Sequence, residues 1–475
     1  MTAYRVTIGL EVHVQLKTQS KMFCACSTDF GQSPNTQVCP VCLGYPGSLP
    51  VMNRAAIRLT VMSGLMLGCR INPYSKFDRK NYFYPDMPKN YQLTQYDQPS
   101  TSTGWVDFEH QGGISRVRIT RAHLEEDVGK NSHFDRNSGV DFNRAGVPLM
   151  EIVSEPDIDG PDMACAYLNA LKDILVYGGV SDCDMEKGMV RCDVNVSVRP
   201  KGTRGLGAKI EIKNMNSFSG VRKALEYEIP RQIAVVQAGG KLIQSTRRWE
   251  DTTGITEEMR TKEDAHDYRY FAEPDLMPFE PTEAWLAEVS RCVVEIPLAR
   301  KQRFMRDYQL PAPDAQAFVW DRPLGDYYEA AVASAKNPKA LANWVINNLR
   351  AKLTESGSAL DQLKFPPAAL VELVDLVDSG KISGRIAQDV FAEMFSTGSN
   401  PGRIVEIKGL AQVSDSGAIE TFCDQAIAAN PGPVADFLAG KEAALNFLKG
   451  QVMKLSKGKA NPALVGEVLT RKIKG

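Results

Sequence analysis

Three segments of the sequence alternate between apolar and polar residues, and this period of two is typical of β-strands with one buried face. The first segment runs from Val6 to Lys17, the second from Met189 to Arg199 and the third from Lys209 to Lys213. The apolar positions are Ile8, Leu10, Val12, Val14 and Leu16, then Val190, Cys192, Val194, Val196 and Val198, then Ile210 and Ile212. A sheet with a covered apolar back is therefore predicted.

The polar positions of these strands carry acids, cations, amides and one histidine. They are Gly9, Glu11, His13 and Gln15, then Arg191, Asp193, Asn195, Ser197 and Arg199, then Lys209, Glu211 and Lys213. Glu11 and His13 lie about 6.5 to 7 Å apart on a strand, so both can reach one object between them. A solvated sheet face is the alternative interpretation, but oxygen ligands beside Arg and Lys favour a cradle for phosphate and metal.

A second acidic feature lies between Arg121 and Glu155. Glu125, Glu126 and Asp127 are adjacent, and Glu151 stands inside the apolar run Pro148 to Val153. A buried, unpaired carboxylate costs several kcal/mol, so Glu151 is expected to face water, pair with a cation or bind a metal. The turn from Asp141 to Gly146 is expected to swing Glu151 back toward the acidic triplet.

Four of the ten cysteines are clustered as Cys24-Ala-Cys26 and, after twelve residues, Cys39-Pro-Val-Cys42. Two closely spaced thiol pairs separated by a loop are the arrangement that tetrahedral zinc requires. Four sulfur ligands leave no open coordination position, so a structural zinc site is predicted, with reduced thiols in a loop as the alternative. The other six cysteines are scattered and are interpreted as small core residues.

The segment from Phe77 to Gln92 is rich in aromatic residues, cations and prolines and is predicted to be an ordered loop. Arg79, Lys80 and Lys89 beside Tyr82 and Tyr84 could hold phosphate and stack a ring. A solvated aromatic loop is equally compatible with this composition.

Length and charge limit the class of protein. The 475 residues are enough for two to four domains, and 56 Lys and Arg against 57 Asp and Glu exclude a globally basic nucleic-acid binder. No apolar run long enough to span a membrane and no signal peptide is recognisable, so a soluble, cytoplasmic protein is expected. The chain also lacks a Gly-x-x-x-x-Gly-Lys-Ser/Thr loop, so a nucleotide would be held by side chains of the sheet.

The fold class predicted from these patterns is α+β, with a mixed or antiparallel sheet, followed by an all-helical domain and a small helical tail. The expected domains are a cradle domain over residues 1–294 with the cysteine cluster inserted, a helical domain over 295–405, and a tail over 406–475. From Lys441 to Gly475 eight Lys and Arg face two acids, so the tail is locally basic. Binding of RNA phosphates and a merely solvated helix are both compatible with that charge.

Several long segments are similar to one known family, the B subunit of the aspartyl/glutamyl-tRNA amidotransferases. The segments are Ile8 to His13, Phe77 to Asp86, Glu125 to Lys130, Val140 to Val153, Glu211 to Ser217 and Asp267 to Phe271. They occur in order along essentially the whole chain. The absence of a large inserted domain favours the three-subunit bacterial enzyme over its archaeal relative.

The resemblance implies a glutamine-dependent aminoacyl-tRNA amidotransferase, a carbon–nitrogen ligase. In that family ATP phosphorylates the side-chain carboxylate of Glu-tRNA(Gln) or Asp-tRNA(Asn), and ammonia then displaces phosphate. The A subunit, a glutaminase, supplies the ammonia through a channel, and a small C subunit joins the two, so a heterotrimer with misacylated tRNA as substrate is expected. No amidase pattern with a serine nucleophile is present here, which fits this division of labour.

The resemblance also implies roles for individual residues. The expected magnesium ligands are Glu11, His13, Glu126 and Glu151, with Glu125 close by as second choice for a direct catalytic role and Asp127 as structural. Arg79, Lys80, Arg191, Ser197 and Lys213 are expected contacts of ATP or the acyl phosphate. Lys89 and Glu126 are expected where the ammonia path enters, and Cys24, Cys26, Cys39 and Cys42 would bind a structural zinc.

Two other functions are compatible with parts of the sequence. A non-catalytic, zinc-stabilised tRNA-binding adaptor would use the basic tail and the aromatic loop, with the Glu and His residues of the strands incidental. An ATP-dependent kinase or ligase for a small carboxylate would use the same sheet, with the tail binding another protein.

Overall fold

A computed structural model describes residues 3–215, 217–261, 265–411, 416–456 and 459–475. The chain divides into two compact units, Met1–Leu298 and Ala299–Gly475. The first contains the strands, and the second is helical. This confirms the predicted α+β class followed by helical structure.

The first unit is built, over its described residues, on one eleven-stranded sheet and four α-helices. Its strands are β1 (Tyr4–Gln15), β2 (Arg70–Ile71), β3 (Asp78–Asn81), β4 (Tyr91–Thr94), β5 (Thr101–Ser102), β6 (Gly104–His110), β7 (Gly113–Glu126), β8 (Lys130–His133), β9 (Ser138–Asp141), β10 (Pro148–Ser154), β11 (Val190–Pro200), β12 (Ile210–Met215), β13 (Ser245–Glu250), β14 (Ile255–Thr261) and β15 (Phe271–Ala272). Its helices are α1 (Arg54–Met66), α2 (Pro161–Tyr177), α3 (Phe218–Gln237) and α4 (Glu283–Ser290).

β1 lies in the middle of the large sheet. The strand order is β14-β13-β12-β11-β1-β10-β7-β4-β3-β15, with β6 paired to β7. β1 is antiparallel to both β10 and β11, whereas β12 and β13 are parallel. The sheet is therefore mixed, and the three segments with alternating sequence form the adjacent strands β12, β11 and β1.

The apolar back of these strands is the centre of the core. The predicted inward residues of β1 and β11 are at most 4 % exposed. Helices α1, α2 and α3 contribute to the same hydrophobic core, for example through Val61, Leu168 and Val221. Burial of one such aliphatic side chain stabilises the fold by about 1.5 to 3 kcal/mol, so this face fixes which side chains point to the opposite, polar face.

The segment from Phe77 to Gln92 differs from the predicted loop. Asp78–Asn81 forms β3 and the segment's last two residues, Tyr91 and Gln92, begin β4; the two strands pair with each other. Only the middle of the segment is irregular. Asp78 is buried, and its carboxylate accepts from the backbone N–H of Tyr96 at 3.1 Å. Tertiary pairing thus stabilises a strand whose composition does not favour one.

The second unit consists, over its described residues, of α-helices α5 to α16 and a π-helical turn. The α-helices are α5 (Pro297–Asp307), α6 (Ala312–Trp320), α7 (Arg322–Val332), α8 (Pro338–Asn343), α9 (Arg350–Ser356), α10 (Pro367–Asp378), α11 (Gly384–Thr397), α12 (Pro401–Ile407), α13 (Ser416–Ala429), α14 (Pro431–Leu438), α15 (Glu442–Leu455) and α16 (Pro462–Lys474). The π-helical turn Trp344–Leu349 joins α8 to α9. Short 3-10 turns occur at Ala265–Tyr268, in the first unit, and at Leu360–Gln362.

This unit has two hydrophobic cores. One extends from Phe304 to Val405 and includes Ile404 and Val405 of α12. The other extends from Ile419 to Leu469 and is formed by α13, α15 and α16 with the segment between the last two helices. In the part of the chain that the structure describes, no helix combines the length and the apolar character needed to cross a membrane.

Candidate active site and metal centres

The polar face of the sheet brings three ionisable residues of neighbouring strands into line. His13 of β1 is directly opposite Glu151 of β10, and Glu151 is directly opposite His123 of β7. Residues that face each other across antiparallel strands point to the same side of the sheet. Glu151 therefore lies on the polar face because its neighbours Met150 and Ile152 occupy the core.

His13, Glu125 and Glu151 form a compact group, called the His13 cluster below. His13 Nε2 lies 3.4 Å from a Glu151 oxygen and 3.6 Å from a Glu125 oxygen. One ligand atom from each residue lies within 4.8 Å of the others. His123 Nε2 is 3.6 Å from Glu151, and the ring is buried. One imidazole and two carboxylates at this spacing can hold a divalent cation.

The charges in this cluster shift its titration. Burial alone would lower the pKa of His13, but the hydrogen bond with Glu151 and the charges of Glu151 and Glu125 raise it to about 9. Burial and the Glu151 charge raise the pKa of Glu125 to about 7. Despite burial, His123 and His13 hold the pKa of Glu151 well below its usual range. The cluster concentrates negative charge that a proton or a metal ion can neutralise.

A second group, the Glu11 cluster, consists of Glu11, Asp193 and Glu211 on the adjacent strands β1, β11 and β12. Their ligand oxygens also lie within 4.8 Å of one another. Asn195 Nδ2 donates to Glu11 at 2.8 Å, and Thr246 Oγ1 donates to Glu211 at 2.9 Å. These hydrogen bonds orient the carboxylates, and an all-oxygen group of this kind suits magnesium.

Cations flank both clusters. Lys213 Nζ forms ion pairs with Asp193 and Glu211. Arg191, which is opposite His13 in register, donates to Asp127 at 2.6 Å. Lys80 Nζ lies 4.9 Å from the centre of the Tyr268 ring. Burial opposes the charge of Lys80, but the nearby tyrosines and the Glu125 and Glu151 carboxylates raise its pKa.

A groove of about 210 Å³ opens beside Glu11 on the same face. Its lining combines apolar and polar groups from β1, β10, β11 and the segment before β12, including Gly9, Ser197, Leu206 and Lys209. It offers an apolar slot next to an acidic group and a lysine, which fits a planar ring attached to phosphates.

The four clustered cysteines converge as the sequence predicts. Their Sγ atoms lie within 4.8 Å of one another, and a tetrahedral zinc with bonds of about 2.3 Å needs sulfurs about 3.8 Å apart. Lys21 is fully buried, and its Nζ lies 3.7 Å from Cys42 Sγ. A buried cation is expected beside a tetrathiolate site, which carries net negative charge with Zn²⁺. The cluster fits a metal such as zinc.

The thiol of Cys42 is the most acidic of these groups. A hydrogen bond from the Cys24 thiol, with the backbone N–H of Cys39 and the Lys21 ammonium, lowers the pKa of Cys42 to about 4 against the effect of burial. A thiolate is the form that ligates metal.

Lys89 and Glu126 form a separate ion pair. Their side chains are 8 % and 4 % exposed, and Lys89 Nζ donates to Glu126 Oε1. The same oxygen accepts from the backbone N–H of Leu93 at 2.9 Å. Lys89 also lies over the Tyr91 ring, 5.2 Å from its centre.

Comparison with known proteins places this site in a family. The GatB/GatE catalytic domain family matches residues 6–287, and the GatB domain family matches residues 326–473. Together they cover most of the chain. The chain belongs to the GatB family.

Full-length relatives agree with this assignment. The B subunit of the aspartyl/glutamyl-tRNA(Asn/Gln) amidotransferase of Caldanaerobacter subterraneus is 52 % identical over 99 % of both chains. The protein of the same name from Carboxydothermus hydrogenoformans is 51 % identical over 100 % of this chain and 99 % of its own. That of Myxococcus xanthus is 50 % identical over 99 % of this chain and 98 % of its own.

The residues expected from the GatB resemblance do not all meet. Glu125, rather than Glu126, stands beside His13 and Glu151, because adjacent residues of β7 point to opposite faces of the sheet. Glu126 points to Lys89 instead. Glu11 belongs to the second cluster with Asp193 and Glu211. The expected magnesium set is thus divided over three places in the structure.

The expected nucleotide contacts are also divided. Lys80, Arg191, Ser197 and Lys213 line the polar face near the two clusters. Arg79 differs, because it forms a bidentate pair with buried Glu273 at 2.6 and 2.8 Å. That pair occupies the guanidinium, so Arg79 holds β3 to the segment around Glu273. Asn216 of the Glu211 to Ser217 motif lies outside the described residues.

Three site residues were given no role by the sequence reasoning. His123 precedes the acidic triplet, and its place on the Glu125 face follows from alternation along β7. Asp193 and Glu211 were recognised only as members of the polar face. The signal that could have identified them is their charge at positions next to Glu11 once the three strands are taken as neighbours.

Proposed function

We propose that this chain is the kinase and transamidase subunit of a tRNA-dependent amidotransferase. It would phosphorylate the side-chain carboxylate of Glu-tRNA(Gln), Asp-tRNA(Asn) or both with ATP, and ammonia would then displace phosphate to form the amide. The printed name of the relatives at about 50 % identity supports the substrate class.

One observation carries the proposal: two carboxylate clusters lie on one sheet face with cations around them. Phosphoryl transfer depends mainly on positioning and on neutralising phosphate charge. A carboxylate is a poor electrophile because its leaving group would be oxide, and phosphorylation supplies a better one. A face that holds both acids and cations suits a nucleotide with its divalent cations.

Residues of this chain would act as follows. The His13 cluster and the Glu11 cluster would each hold Mg²⁺, which when bound supplies charge neutralisation at the transferred phosphoryl group. Lys80, Arg191 and Lys213 would orient phosphate or acyl-phosphate oxygens, and the groove lined by Ser197 would take the base. The carboxylate oxygen forms the new P–O bond, and ADP leaves.

In the second step a C–N bond forms, the C–O bond to phosphate breaks, and the attacking nitrogen loses a proton. Lys89 and Glu126 would stand where ammonia enters, with Glu126 able to accept that proton. Glutamine hydrolysis would belong to a separate glutaminase, the A subunit, and a small C subunit would complete the heterotrimer. The cysteine cluster would hold a structural zinc, and residues 406–475 would form a basic tail domain that binds tRNA.

The test combines the chain and its partner subunits with ATP, magnesium, ammonium and misacylated tRNA. ADP formation that depends on the misacylated tRNA, together with amide on the tRNA, is the expected result. Equal ADP formation without tRNA would contradict the proposal and favour a kinase or ligase for a small carboxylate. No ADP under any condition would favour a tRNA-binding adaptor.

A further inference from the structure

The cysteine cluster and the Lys89–Glu126 pair share a small cavity. It has a volume of about 60 Å³, and its lining includes Lys21, Cys24, Cys42, Gly44, Lys89 and Glu126. The two features are widely separated in sequence, and the functions proposed above treat them independently. Their contact means that the position of one constrains the other.

The segment that carries the cysteines has little regular structure. Between β1 and α1 the described chain consists of turns and bends with the isolated bridge of Ser20 to Ser27. Such a segment has few backbone hydrogen bonds and little core to define its course. A metal held by four cysteines would supply that constraint, because ligation fixes four points of the loop at once.

Gly44, two residues after Cys42, touches Lys89 directly. Its φ of +70° is a conformation that other residues rarely adopt. A Cβ at this position would lie 2.6 Å from Lys89 Cγ and 3.1 Å from Lys89 Cα. The loop therefore packs tightly against the lysine, and Phe23, next to Cys24, has its ring centre 5.8 Å from Lys89 Nζ.

Glu126 is tied to the same segment through Gly146. The N–H of Met22 donates to the Gly146 carbonyl at 2.7 Å, and the N–H of Gly146 donates to the Asp127 carbonyl at 2.8 Å. The backbone that leads into Cys24 is therefore two hydrogen bonds away from the residue after Glu126. Both partners of the ion pair are held by the segment that the cysteines organise.

We propose that the metal-loaded cysteine cluster is a positioning device for the Lys89–Glu126 pair. Loss of the metal frees the loop around Gly44, and Lys89 separates from Glu126 and becomes exposed to solvent. The effect on ammonia use rests on the proposed function: amidation with glutamine should fall more than amidation with added ammonium, while tRNA-dependent ADP formation continues.

Lysine labelling tests the structural part without any activity. The full-length chain, loaded with zinc or stripped by a chelator, is given a short pulse of acetylating reagent, and each lysine is quantified by mass spectrometry. Acetylation of Lys89 is expected to be at least about tenfold faster without zinc, as for a site that opens locally. Lys17, which is already exposed, should change little.

A Gly44→Ala variant tests the contact while the cysteines remain intact. It should bind as much zinc as the unmodified chain, yet Lys89 should be acetylated faster and glutamine-dependent amidation should drop relative to ammonium-dependent amidation. Gly47→Ala is the matched control, because Gly47 has a φ of +83° in the same loop and a Cβ added there would have no neighbour within 4 Å. It carries the same backbone strain without the Lys89 contact.

Equal Lys89 acetylation in zinc-loaded, zinc-free and Gly44→Ala protein would overturn the proposal. So would equal effects of Gly44→Ala and Gly47→Ala on labelling. If chelation unfolds the whole chain, which circular dichroism would detect, the Gly44→Ala comparison decides. If the zinc-loaded complex forms no amide from either nitrogen source, the proposed function fails, while the labelling result stands on its own.

Discussion

Glu125 and Glu126 are adjacent in sequence, but they face different environments. Glu125 joins His13 and Glu151 on the polar face, and Glu126 pairs with Lys89. β7 continues through both residues, so the alternation of a strand separates them. Position on the strand, rather than residue type, decides which acid can reach a metal and which stands beside the lysine.

Glu151→Gln is expected to abolish ammonium-dependent amidation while folding and tRNA binding stay near normal. The substitution keeps the volume but removes a negative metal ligand that also holds His13. Amidation should fall by at least about 100-fold, as for loss of an essential charge at a phosphoryl-transfer site. The measurement is amide formation on misacylated tRNA, with exposed Glu288→Gln as control; full activity of Glu151→Gln would refute the metal role.

Alternation along the strands predicted much of the site. Glu11, His13 and Glu151 lie on the polar face because their neighbours Leu10, Val12 and Ile152 enter the core. The choice between Glu125 and Glu126 could not be made, since it depends on how far β7 extends past its pairing with Leu149. The fate of Arg79 was equally inaccessible, because its partner Glu273 is 194 residues away.

Helix α3 is tied to the β13–β14 hairpin by a buried carboxylate. Glu228 accepts from Arg231 at 2.6 and 2.8 Å, from Gln232 at 2.9 Å and from Thr256 Oγ1 at 2.7 Å. The side chain is fully buried. An isolated charge there would be strongly unfavourable, so these donors make the position tolerable.

Glu228→Gln should lower the free energy of unfolding by about 3 kcal/mol, because it leaves Arg231 without its buried partner. Denaturant unfolding measures the change. Glu226→Gln on the exposed side of the same helix is the control and should change stability by less than about 0.5 kcal/mol. Equal stability of the two variants would contradict the role of Glu228.

The same residue predicts a pH dependence. Burial opposes ionisation, but hydrogen bonds from Arg231, Thr256 and Gln232 hold the pKa of Glu228 below its usual range. A lowered pKa in the folded state means that the contribution is complete above about pH 4.3 and is lost as the pH falls through the folded value. Unfolding free energy of Glu228→Gln should therefore fall less steeply with acid than that of the unmodified chain; parallel curves would exclude the effect.

Elements with a clear hydrophobic period were predicted well, and those defined by pairing alone were not. The segment Asn53 to Leu67 was predicted as a helix and forms α1. β3 was missed, because its sequence Asp-Arg-Lys-Asn has no apolar alternation and the strand exists through its pairing with β4 and β15. The single helix predicted from Ala340 to Leu353 contains the π-helical turn Trp344–Leu349, which leaves no signal in the sequence pattern.

The second unit separates its hydrophobic material into two cores. Ile404 and Val405 of α12 belong to the first, and the second begins at Ile419. Helix α16 ends with Arg471, Lys472 and Lys474 in its last turn. Arg471 and Lys472 form ion pairs with Glu420 and Asp424 of α13, so part of the basic charge of the tail is compensated.

Deletion of the chain from Lys408 onward should weaken tRNA capture more than it slows amide formation at saturating tRNA. The removed residues have their own core and lie outside both carboxylate clusters. Loss of a few phosphate contacts should reduce tRNA affinity by roughly tenfold or more at moderate salt. Filter binding with labelled tRNA at two salt concentrations measures this; unchanged affinity would remove the tRNA-binding role of the tail.

The account depends on the polar sheet face being the place where phosphoryl transfer occurs. Adjacent variants test that claim directly: tRNA-dependent ADP formation is measured in the complete complex with Glu125→Gln and with Glu126→Gln. Glu125→Gln should lose ADP formation, whereas Glu126→Gln should retain it and lose amidation driven by glutamine. Normal ADP formation by Glu125→Gln, or its loss only in Glu126→Gln, would contradict the assignment of the His13 cluster to the phosphoryl-transfer step.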